Sequence, residues 1–278
     1  MNLLTASTLL FFTAASPQAP APAPPPEPAR AAAPSDRAVN PSQPDFSLVA
    51  LPTTLRIPRF GSAFRVTHRF TRPLGQGSLS DLASDFFGFD SGAQIGLEYR
   101  FGIMAGTQIG IHRTSDRTIQ LFLQHEVLRQ RGRMPVAVHA LASVEGGNNL
   151  RERRSPALGA VISRTVGVHG ALYIEPIWVN NSNSLPSALV DHNDTVLLGL
   201  GARVRIRPTV YVVAEGTPRF GYRPGVAQAS FGLERRTGGH SFQINVSNGT
   251  GTTPGQLTRS GISRDSWFIG FNISRKFF

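Results

Sequence analysis

From residue 62 onward, side chains alternate between apolar and polar, and this period of two limits the fold more than any other feature. Segments 62–72, 93–101 and 195–207 show it over nine or more residues each. In 195–207 one face is Val196, Leu198, Leu200, Ala202, Val204 and Ile206, and the other is Gly199, Gly201, Arg203, Arg205 and Arg207. An α-helix repeats every 3.6 residues, so it would mix these two faces. The alternation therefore predicts an all-β chain.

Similar segments recur along the chain and define about twelve predicted strands. They are 62–72, 93–101, 107–113, 118–128, 135–145, 157–165, 168–179, 195–207, 209–216, 226–235, 240–247 and 266–278. Strands of about 9–11 residues suit a tilted crossing of a bilayer. Longer connections (73–92, 146–156, 180–194, 248–265, with 114–117 and 217–225) alternate with tight turns. Long loops at one end and short turns at the other are typical of outer-membrane barrels.

Alternation alone leaves open which face is inside, and a soluble β-sandwich or lipocalin-like protein is the main alternative. Three observations favour a membrane barrel. A barrel of about twelve strands is too wide for side chains alone to fill. The polar face carries charges and glycines, which suit a wet lumen. Aromatic residues near strand ends resemble interfacial girdles, namely Phe64, Phe70, Phe101, Trp178, Trp267, Phe271 and Phe277. We therefore predict an antiparallel transmembrane β-barrel in the outer membrane of a Gram-negative-type bacterium.

Composition excludes several functional classes. The 278 residues include no cysteine, which removes disulfides, thiol nucleophiles and cysteine-based zinc sites. Lys+Arg number 28 against 17 Asp+Glu, a formal charge of +11. All of these basic residues except Lys276 are arginines spread along the chain, without a nucleic-acid-binding module. We therefore expect no nucleic-acid partner and attribute part of the excess to a bias towards arginine.

The N-terminal region differs from the alternating part. Residues 1–16 have the apolar run and small residues of a signal peptide, although basic residues are missing before the run. A membrane-anchoring helix is the alternative, but the run is shorter than the about 20 residues needed to span a bilayer. Residues 17–45 are rich in Ala and Pro and predict a disordered spacer. The predicted barrel domain is 46–278.

The last predicted strand is amphipathic and ends in aromatic residues. Its apolar alternation runs through Trp267, Ile269, Phe271 and Ile273 to Phe277, one position before the terminal Phe278. A terminal aromatic resembles the recognition signal of outer-membrane barrels, shifted here by one position. The barrel assembly machinery is therefore an expected partner.

Several short motifs resemble a family of bacterial β-barrel proteins known only as a domain of unknown function. The motifs are His68-Arg69-Phe70, Phe87-Gly88-Phe89-Asp90, Gly96-Leu97-Glu98-Tyr99 and Gly110-Ile111-His112-Arg113-Thr114-Ser115. The resemblance covers roughly residues 45–278. It implies a barrel fold and an outer-membrane location, and it transfers no catalytic residues.

The polar face supplies the candidate functional residues. They are Arg65, Arg69, Glu98, Arg100, Glu126, Glu175, Arg203, Arg205, Arg207 and Glu215. If these residues line a lumen, six arginines outnumber four glutamates, which favours small anionic solutes. The predicted function is therefore an anion-leaning small-solute channel. A barrel plugged by paired charges, structural or binding in role and without conductance, is the alternative.

An enzymatic role is not expected. The less favoured alternative is a lipid hydrolase at the lipid-facing rim, because His68 and His125 fall on otherwise apolar faces. No serine lies in a G-x-S-x-G turn, and neither an H-E-x-x-H motif nor an acidic metal cluster is present. We predict no catalytic residues, no cofactor and no metal.

Loop composition suggests membrane partners. Arg151, Arg153 and Arg154 fall in an external loop and could contact lipopolysaccharide phosphates, with solvated loop charge as the alternative. The segment 129–133 is also basic. The apolar segment 80–90 is consistent with an inward constriction, a short helix or an ordered loop. Expected partners are thus outer-membrane lipid and lipopolysaccharide.

Overall fold

The computed structural model describes residues 40–85, 92–183, 193–222, 225–261 and 263–278, and its main element is one antiparallel sheet. The strands are β1 (Ser62–Phe70), β2 (Ala93–Met104), β3 (Thr107–Thr114), β4 (Ile119–Leu128), β5 (Ala137–Gly146), β6 (Glu152–Val166), β7 (Gly170–Val179), β8 (Thr195–Arg207), β9 (Val210–Thr217), β10 (Arg219–Gly221), β11 (Gln228–Thr237), β12 (His240–Ser247) and β13 (Phe268–Phe277). The predicted signal peptide, and the predicted spacer up to residue 39, lie outside the described residues.

The sheet closes on itself. From β1 to β9 and from β11 to β13 each strand pairs with the next, and β1 pairs with β13 from Ser62↔Phe277 to Arg69↔Gly270. β9 and β10 form one wall strand interrupted at Pro218, which has no N–H to donate to a ladder. Both pieces pair with β8, and β9 also pairs with β11. The wall is therefore a closed barrel of twelve antiparallel strands, as predicted.

Side chains alternate across the wall as the sequence pattern indicates. On β7, Tyr173, Ile177 and Val179 are buried inside, whereas Leu172 and Ile174 are about half exposed on the outer face, at 54% and 51%. Other strands repeat this arrangement, so the outer face is a band of exposed apolar side chains. Such a surface is typical of a barrel surrounded by lipid.

The two ends of the barrel differ. Connections 105–106, 129–136, 167–169, 208–209 and 238–239 lie at one end, which we call the short-turn end. Connections 71–92, 115–118, 147–151, 180–194, 222–227 and 248–267 lie at the other, the long-loop end. The predicted alternation of long loops and short turns is therefore present.

Three short helical segments lie in the long loops. They are α1 (Leu79–Ser84), α2 (Gly147–Leu150) and α3 (Pro254–Arg259). A capping box starts α1, because the Ser78 hydroxyl accepts from the Asp81 N–H and the Asp81 carboxylate accepts from the Ser78 N–H. Of the interpretations offered for 80–90, the short helix holds for its first part, and residues 86–90 lie outside the described residues. No helix in the described part of the chain is long and apolar enough to cross a bilayer.

Candidate functional site: the barrel lumen

The lumen contains residues 40–58, which we call the plug segment. It forms a hairpin in which the N–H of Leu48 donates to the Leu51 carbonyl and the N–H of Thr53 donates to the Phe46 carbonyl, both at 2.8 Å. Residues 42–51 are all buried. Residues 42–45, which the composition assigns to the spacer, are buried inside the barrel, and the first wall strand begins at Ser62, where the alternation predicts it.

The hairpin tip is apolar and packs on an apolar part of the inner wall. Leu48, Val49, Ala50 and Leu51 form one buried cluster with wall side chains that include Tyr173, Ile177, Leu197 and Val213. Burying a leucine side chain contributes about 1.5–3 kcal/mol. The tip therefore supplies the core that wall side chains alone cannot fill in a barrel of this width.

Two glycines of β8 make room for the tip. A Cβ at Gly201 would lie 2.2 Å from Leu48 Cδ1, and one at Gly199 would lie 3.1 Å from both Leu51 Cδ atoms. The glycines of the polar face suggest a wet lumen from sequence, but at these two positions glycine accommodates another part of the chain. Inward glycines on β8, together with the apolar run at 48–51 just after the spacer, are the sequence signal that was missed.

Glu215 on β9 binds the hairpin tip. Its carboxylate accepts from the backbone N–H groups of Val49, Ala50 and Leu51 at 2.9–3.0 Å. The carboxylate is buried, with 6% of the residue exposed. Hydrogen bonds from N–H donors to an ionised acceptor are stronger than those between neutral groups. One wall residue thus satisfies the three N–H groups that the tight turn leaves unpaired.

Basic and amide side chains bind the carbonyl groups of the plug segment. Arg203 Nη2 donates to the Ser47 carbonyl at 2.6 Å and to the Glu234 carboxylate at 2.9 Å. Arg69 Nη2 and Asn272 Nδ2 donate to the Val49 carbonyl at 3.2 and 2.9 Å. The plug segment is therefore held from several strands at once.

The long-loop end of the lumen is filled by α3. The N–H of Gly255 at its start donates to the Glu145 carboxylate at 2.9 Å, and Arg259 forms an ion pair with the same carboxylate at 3.4 Å. Leu257 is 2% exposed and belongs to the same apolar cluster as the hairpin tip. This loop therefore folds into the barrel rather than over it.

The two insertions leave little free space between them. A cavity of about 30 Å³ is lined by Ala50 and Pro52 of the plug segment, by Pro254 of α3, and by wall residues that include Glu98 and Arg100. It has room for about two water molecules.

Comparison with known families identifies the barrel. Residues 45–277 match the family model described as "Membrane bound beta barrel domain (DUF5777)". The chain belongs to this family. The resemblance inferred from the short motifs is therefore confirmed. A comparison with the sequences of curated proteins finds no match.

Solved structures with a similar fold include outer-membrane proteins. The NanC porin is 8% identical and superposes with a TM-score of 0.53 over 78% of this chain and 99% of that chain. Outer membrane phospholipase A from Escherichia coli is 10% identical, with a TM-score of 0.43 over 78% and 90%. A porin mutant from Rhodopseudomonas blastica is 11% identical, with a TM-score of 0.35 over 66% and 55%. At this identity the likeness to the NanC porin shows the barrel fold alone.

Most of the predicted lumen residues of this membrane barrel are inside it. Those buried within the wall are Arg65, Arg69, Glu98, Arg100, Glu175, Arg203 and Glu215. Glu126 is half-buried at the short-turn end, where Arg56 of the plug segment pairs with it at 2.5 Å. Arg205 is half-buried and donates to the Pro208 carbonyl at 2.9 Å, while Arg207 is exposed at the turn. Arg207 therefore does not line the interior that the plug segment and α3 fill.

The buried wall charges are balanced in number. Five arginines (Arg65, Arg69, Arg100, Arg203 and Arg219) accompany five glutamates (Glu98, Glu145, Glu175, Glu215 and Glu234). Several are paired, as where Arg65 and Arg100 both approach the Glu98 carboxylate, at 3.3 and 2.5 Å. The sequence-based comparison of six arginines with four glutamates omitted Glu145, Arg219 and Glu234. It included Arg205 and Arg207, because an alternating pattern does not show how far a side chain lies from the lumen mouth.

The histidines singled out for the enzyme alternative lie in unrelated surroundings. His68 stacks on Phe271 with ring centres 4.7 Å apart and also contacts Phe70. His125 Nδ1 is 2.7 Å from the Thr107 hydroxyl oxygen, which belongs to a residue only 5% exposed. Within the described ranges, no three His, Asp or Glu side chains are grouped to hold a metal ion.

Proposed function

We propose that this protein is an outer-membrane barrel of a Gram-negative-type bacterium whose lumen is closed by its own plug segment, and that small solutes pass only when the plug segment is displaced. The end-to-end difference in loop length, the even number of strands and the fold likeness to the NanC porin support the location. The proposal joins the two functions predicted from the sequence, a small-solute channel and a plugged barrel.

One observation carries the proposal, the meeting of the plug segment and α3 inside the wall. Ala50 and Pro52 face Pro254 across a cavity of only about 30 Å³. A small solute with its hydration shell needs a much wider path. The small size of this cavity supports the proposal that the described conformation does not conduct.

The way the plug segment is attached supports its displacement. Each hydrogen bond between plug residues 43–54 and the wall involves at least one side chain, such as that of Glu215, Arg203 or Gln124. The strands of the wall are paired with one another around the full circumference. Withdrawal of the plug segment therefore breaks no strand ladder.

Conductance in a planar bilayer tests the proposal with the full-length chain. We expect the wild-type barrel to be silent. We expect Gly201→Leu to give discrete conductance steps, because its side chain occupies the place of Leu48. Gly216→Leu is the matched control, since a Cβ there meets nothing within 4 Å. Folding of each variant is checked by the mobility of the unheated protein on a gel.

Each outcome of this experiment has a clear meaning. Silence of wild type and Gly216→Leu together with steps from folded Gly201→Leu supports closure by the plug segment. Steady conductance by the wild type contradicts the closed lumen. Silence of folded Gly201→Leu contradicts the idea that displacing the hairpin tip opens a path.

Selectivity is the finer part of this proposal. The anion preference predicted from the sequence rests on an arginine excess, whereas the buried wall holds five arginines and five glutamates. Reversal potential of the opened Gly201→Leu pore in a salt gradient measures the preference. A cation-leaning potential contradicts the predicted anionic solute.

We also propose that the barrel is not an enzyme. His68 is enclosed by aromatic rings, and the hydroxyl beside His125 belongs to the buried Thr107. A nucleophile must reach its substrate, and this hydroxyl is not placed to do so. Lipid hydrolysis by the purified protein that disappears in His68→Ala or His125→Ala contradicts this proposal.

We also propose two partners, lipopolysaccharide at the long-loop end of the barrel and the barrel assembly machinery at strand β13. Arg151, Arg153 and Arg154 are exposed at the long-loop end, where lipopolysaccharide phosphates would lie. Strand β13 closes the barrel against β1 and carries the terminal aromatic residues that suit the barrel assembly machinery. A loss of lipopolysaccharide binding in the triple Arg→Gln variant tests the first, and slowed assembly of Phe277→Ala tests the second.

A further inference from the structure

The exposed charges of the short-turn end have one sign. Seven arginines are exposed there, Arg164, Arg235 and Arg275 on strands and Arg59, Arg131, Arg133 and Arg207 in or beside turns. Within the described residues, the side-chain carboxylates at this end are buried or half-buried, and the half-buried one, Glu126, already pairs with Arg56 and Arg129. The long-loop end differs, because its exposed arginines are accompanied by Asp81, Asp116, Glu152, Asp194 and Asp265.

A general bias towards arginine does not account for this difference. Such a bias replaces lysine by arginine, but it does not remove aspartate and glutamate from one end of a barrel. Among the residues that the structure describes, no exposed side-chain carboxylate compensates these cations. An uncompensated positive field attracts anionic partners.

The arginines on strands point towards lipid. Cross-strand partners share a face of the sheet. Arg164 is opposite Leu172, Arg235 opposite Phe242, and Arg275 opposite Phe64. These three apolar partners are 54%, 46% and 37% exposed on the outer face. The guanidinium groups therefore lie at the edge of the apolar band, at the depth of lipid headgroups.

The seven arginines surround the barrel rather than forming one patch. They lie before β1, in the turn between β4 and β5, on β6, at the end of β8, on β11 and on β13. A folded protein partner contacts one side of a barrel. A ring of cations around one end of the barrel is complementary to the leaflet that encircles it.

One part of the ring is built as a cleft. Gln130 ties the turn between β4 and β5 to β6, because its Oε1 accepts from the Thr165 N–H at 2.8 Å and its Nε2 donates to the Thr165 carbonyl at 3.0 Å. A cleft of about 590 Å³ opens beside this tie, lined by residues that include Arg131, Arg133 and Arg164. Three guanidinium groups around one cleft suit a phosphate with its several acceptor oxygens.

We propose that this ring binds the anionic headgroups of phospholipids in the leaflet at the short-turn end, with the Arg131–Arg133–Arg164 cleft as its strongest site. Phosphate oxygens accept from the guanidinium groups, while the acyl chains cover the adjoining apolar band. The proposal does not depend on whether the lumen conducts.

Spin-labelled lipids measure this preference directly. The refolded barrel is placed in phosphatidylcholine membranes with a trace of spin-labelled phosphatidylglycerol or phosphatidylcholine, and the immobilised fraction of each gives their relative association. We expect phosphatidylglycerol to be favoured by about threefold or more. The preference should fall towards one in 1 M salt, where the Debye length is about 3 Å.

Two triple variants with the same change in charge separate the ring from charge in general. Arg131→Gln/Arg133→Gln/Arg164→Gln should lose most of the preference. Arg113→Gln/Arg117→Gln/Arg264→Gln at the long-loop end should keep it, because Asp116 and Asp265 accompany the arginines there. Arg235→Gln/Arg275→Gln is a second ring variant should the first fail to fold, and it should show a partial loss.

Three results overturn the proposal. One is a wild type without preference for phosphatidylglycerol. Another is an equal loss in the ring and long-loop variants, which indicates overall charge. The last is an unchanged preference in both folded ring variants. A conducting wild type would contradict the closed lumen and leave this result unaffected.

Discussion

Replacing Glu215 by glutamine should loosen the plug segment without changing the size of the side chain. The carboxylate accepts from three consecutive N–H groups, of Val49, Ala50 and Leu51, at 2.9–3.0 Å. A glutamine keeps one oxygen acceptor but loses the charge. Its NH₂ group brings donors towards the donors of the hairpin tip.

The expected size of the effect follows from these contacts. A hydrogen bond to a charged group contributes about 1.5–3 kcal/mol, and the three share one carboxylate and are not additive. We expect Glu215→Gln to weaken attachment of the plug segment by about 2–4 kcal/mol. Since about 1.4 kcal/mol corresponds to a factor of ten, the displaced population should rise by about 30- to 1000-fold.

The absence of cysteine from the sequence provides the assay. Ala50→Cys places a single thiol at the hairpin tip, where the native residue is 7% exposed. A maleimide that does not cross membranes labels this thiol only when the tip leaves its site. Ala83→Cys on the exposed α1 gives the rate for an accessible thiol. The labelling rate of Ala50→Cys should rise by the stated factor when Glu215→Gln is added.

Glu152→Gln is the matched control, because this glutamate is exposed beside α2 and far along the chain from the plug segment. It should leave labelling of Ala50→Cys unchanged. An unchanged rate in folded Glu215→Gln would refute the role assigned to the carboxylate. Equal acceleration by both substitutions would show that labelling reports general loosening of the barrel.

Three further predictions concern stability and pH. Both carboxylate oxygens of the fully buried Glu175 lack a hydrogen-bond partner among the described residues. Glu175→Met removes both oxygens at similar side-chain volume, so it should stabilise the barrel by about 1 kcal/mol, and a lower melting temperature contradicts this. A Cβ at Gly102 would lie 2.2 Å from a carbonyl oxygen of the plug segment, so Gly102→Ala should lower the free energy of unfolding by about 1–3 kcal/mol. Gly216→Ala, where a Cβ meets nothing within 4 Å, should be near neutral. Equal effects of the two substitutions in thermal unfolding contradict the predicted clash. Hydrogen bonds from the backbone N–H and hydroxyl of Ser78 lower the pKa of Asp81. The stability that the Asp81 carboxylate gives α1 is therefore present above the ordinary pKa of about 3.9 and is lost as pH falls through the lowered pKa. An NMR titration midpoint at the ordinary value contradicts this.

Much of the wall could be predicted because neighbouring side chains of a strand lie on opposite faces of the sheet, so the two faces can be read from adjacent residues in the sequence. On β2 the alternation of Leu97, Glu98 and Tyr99 is readable from neighbours in sequence, and the structure places Glu98 inside and the other two outside as expected. Twelve such segments, separated alternately by long loops and short turns, leave few other topologies. The inward position of Arg69, Arg203 and Glu215 follows from the same parity.

The state of the lumen could not be predicted in this way. The segment 41–58 contains four prolines and no regular strand or helix period, so its apolar run at 48–51 does not indicate a position inside a barrel. Its contacts lie far away in sequence, as where Glu215 accepts from Ala50 across 165 positions and Asn272 donates to Val49 across 223. The sequence around either residue of such a contact does not indicate which distant residue it will meet.

The sequence by itself therefore determined the architecture of the wall, because period and turn spacing are local properties that any strand must satisfy. The tertiary structure decided what the wall encloses. Only closure of β1 on β13 creates an interior, and only then do the N–H groups at 49–51, the glycines of β8 and the carboxylate of Glu215 meet. A hydrogen bond or an apolar contact between such distant residues depends on their positions in space, and these exist only after the barrel has closed.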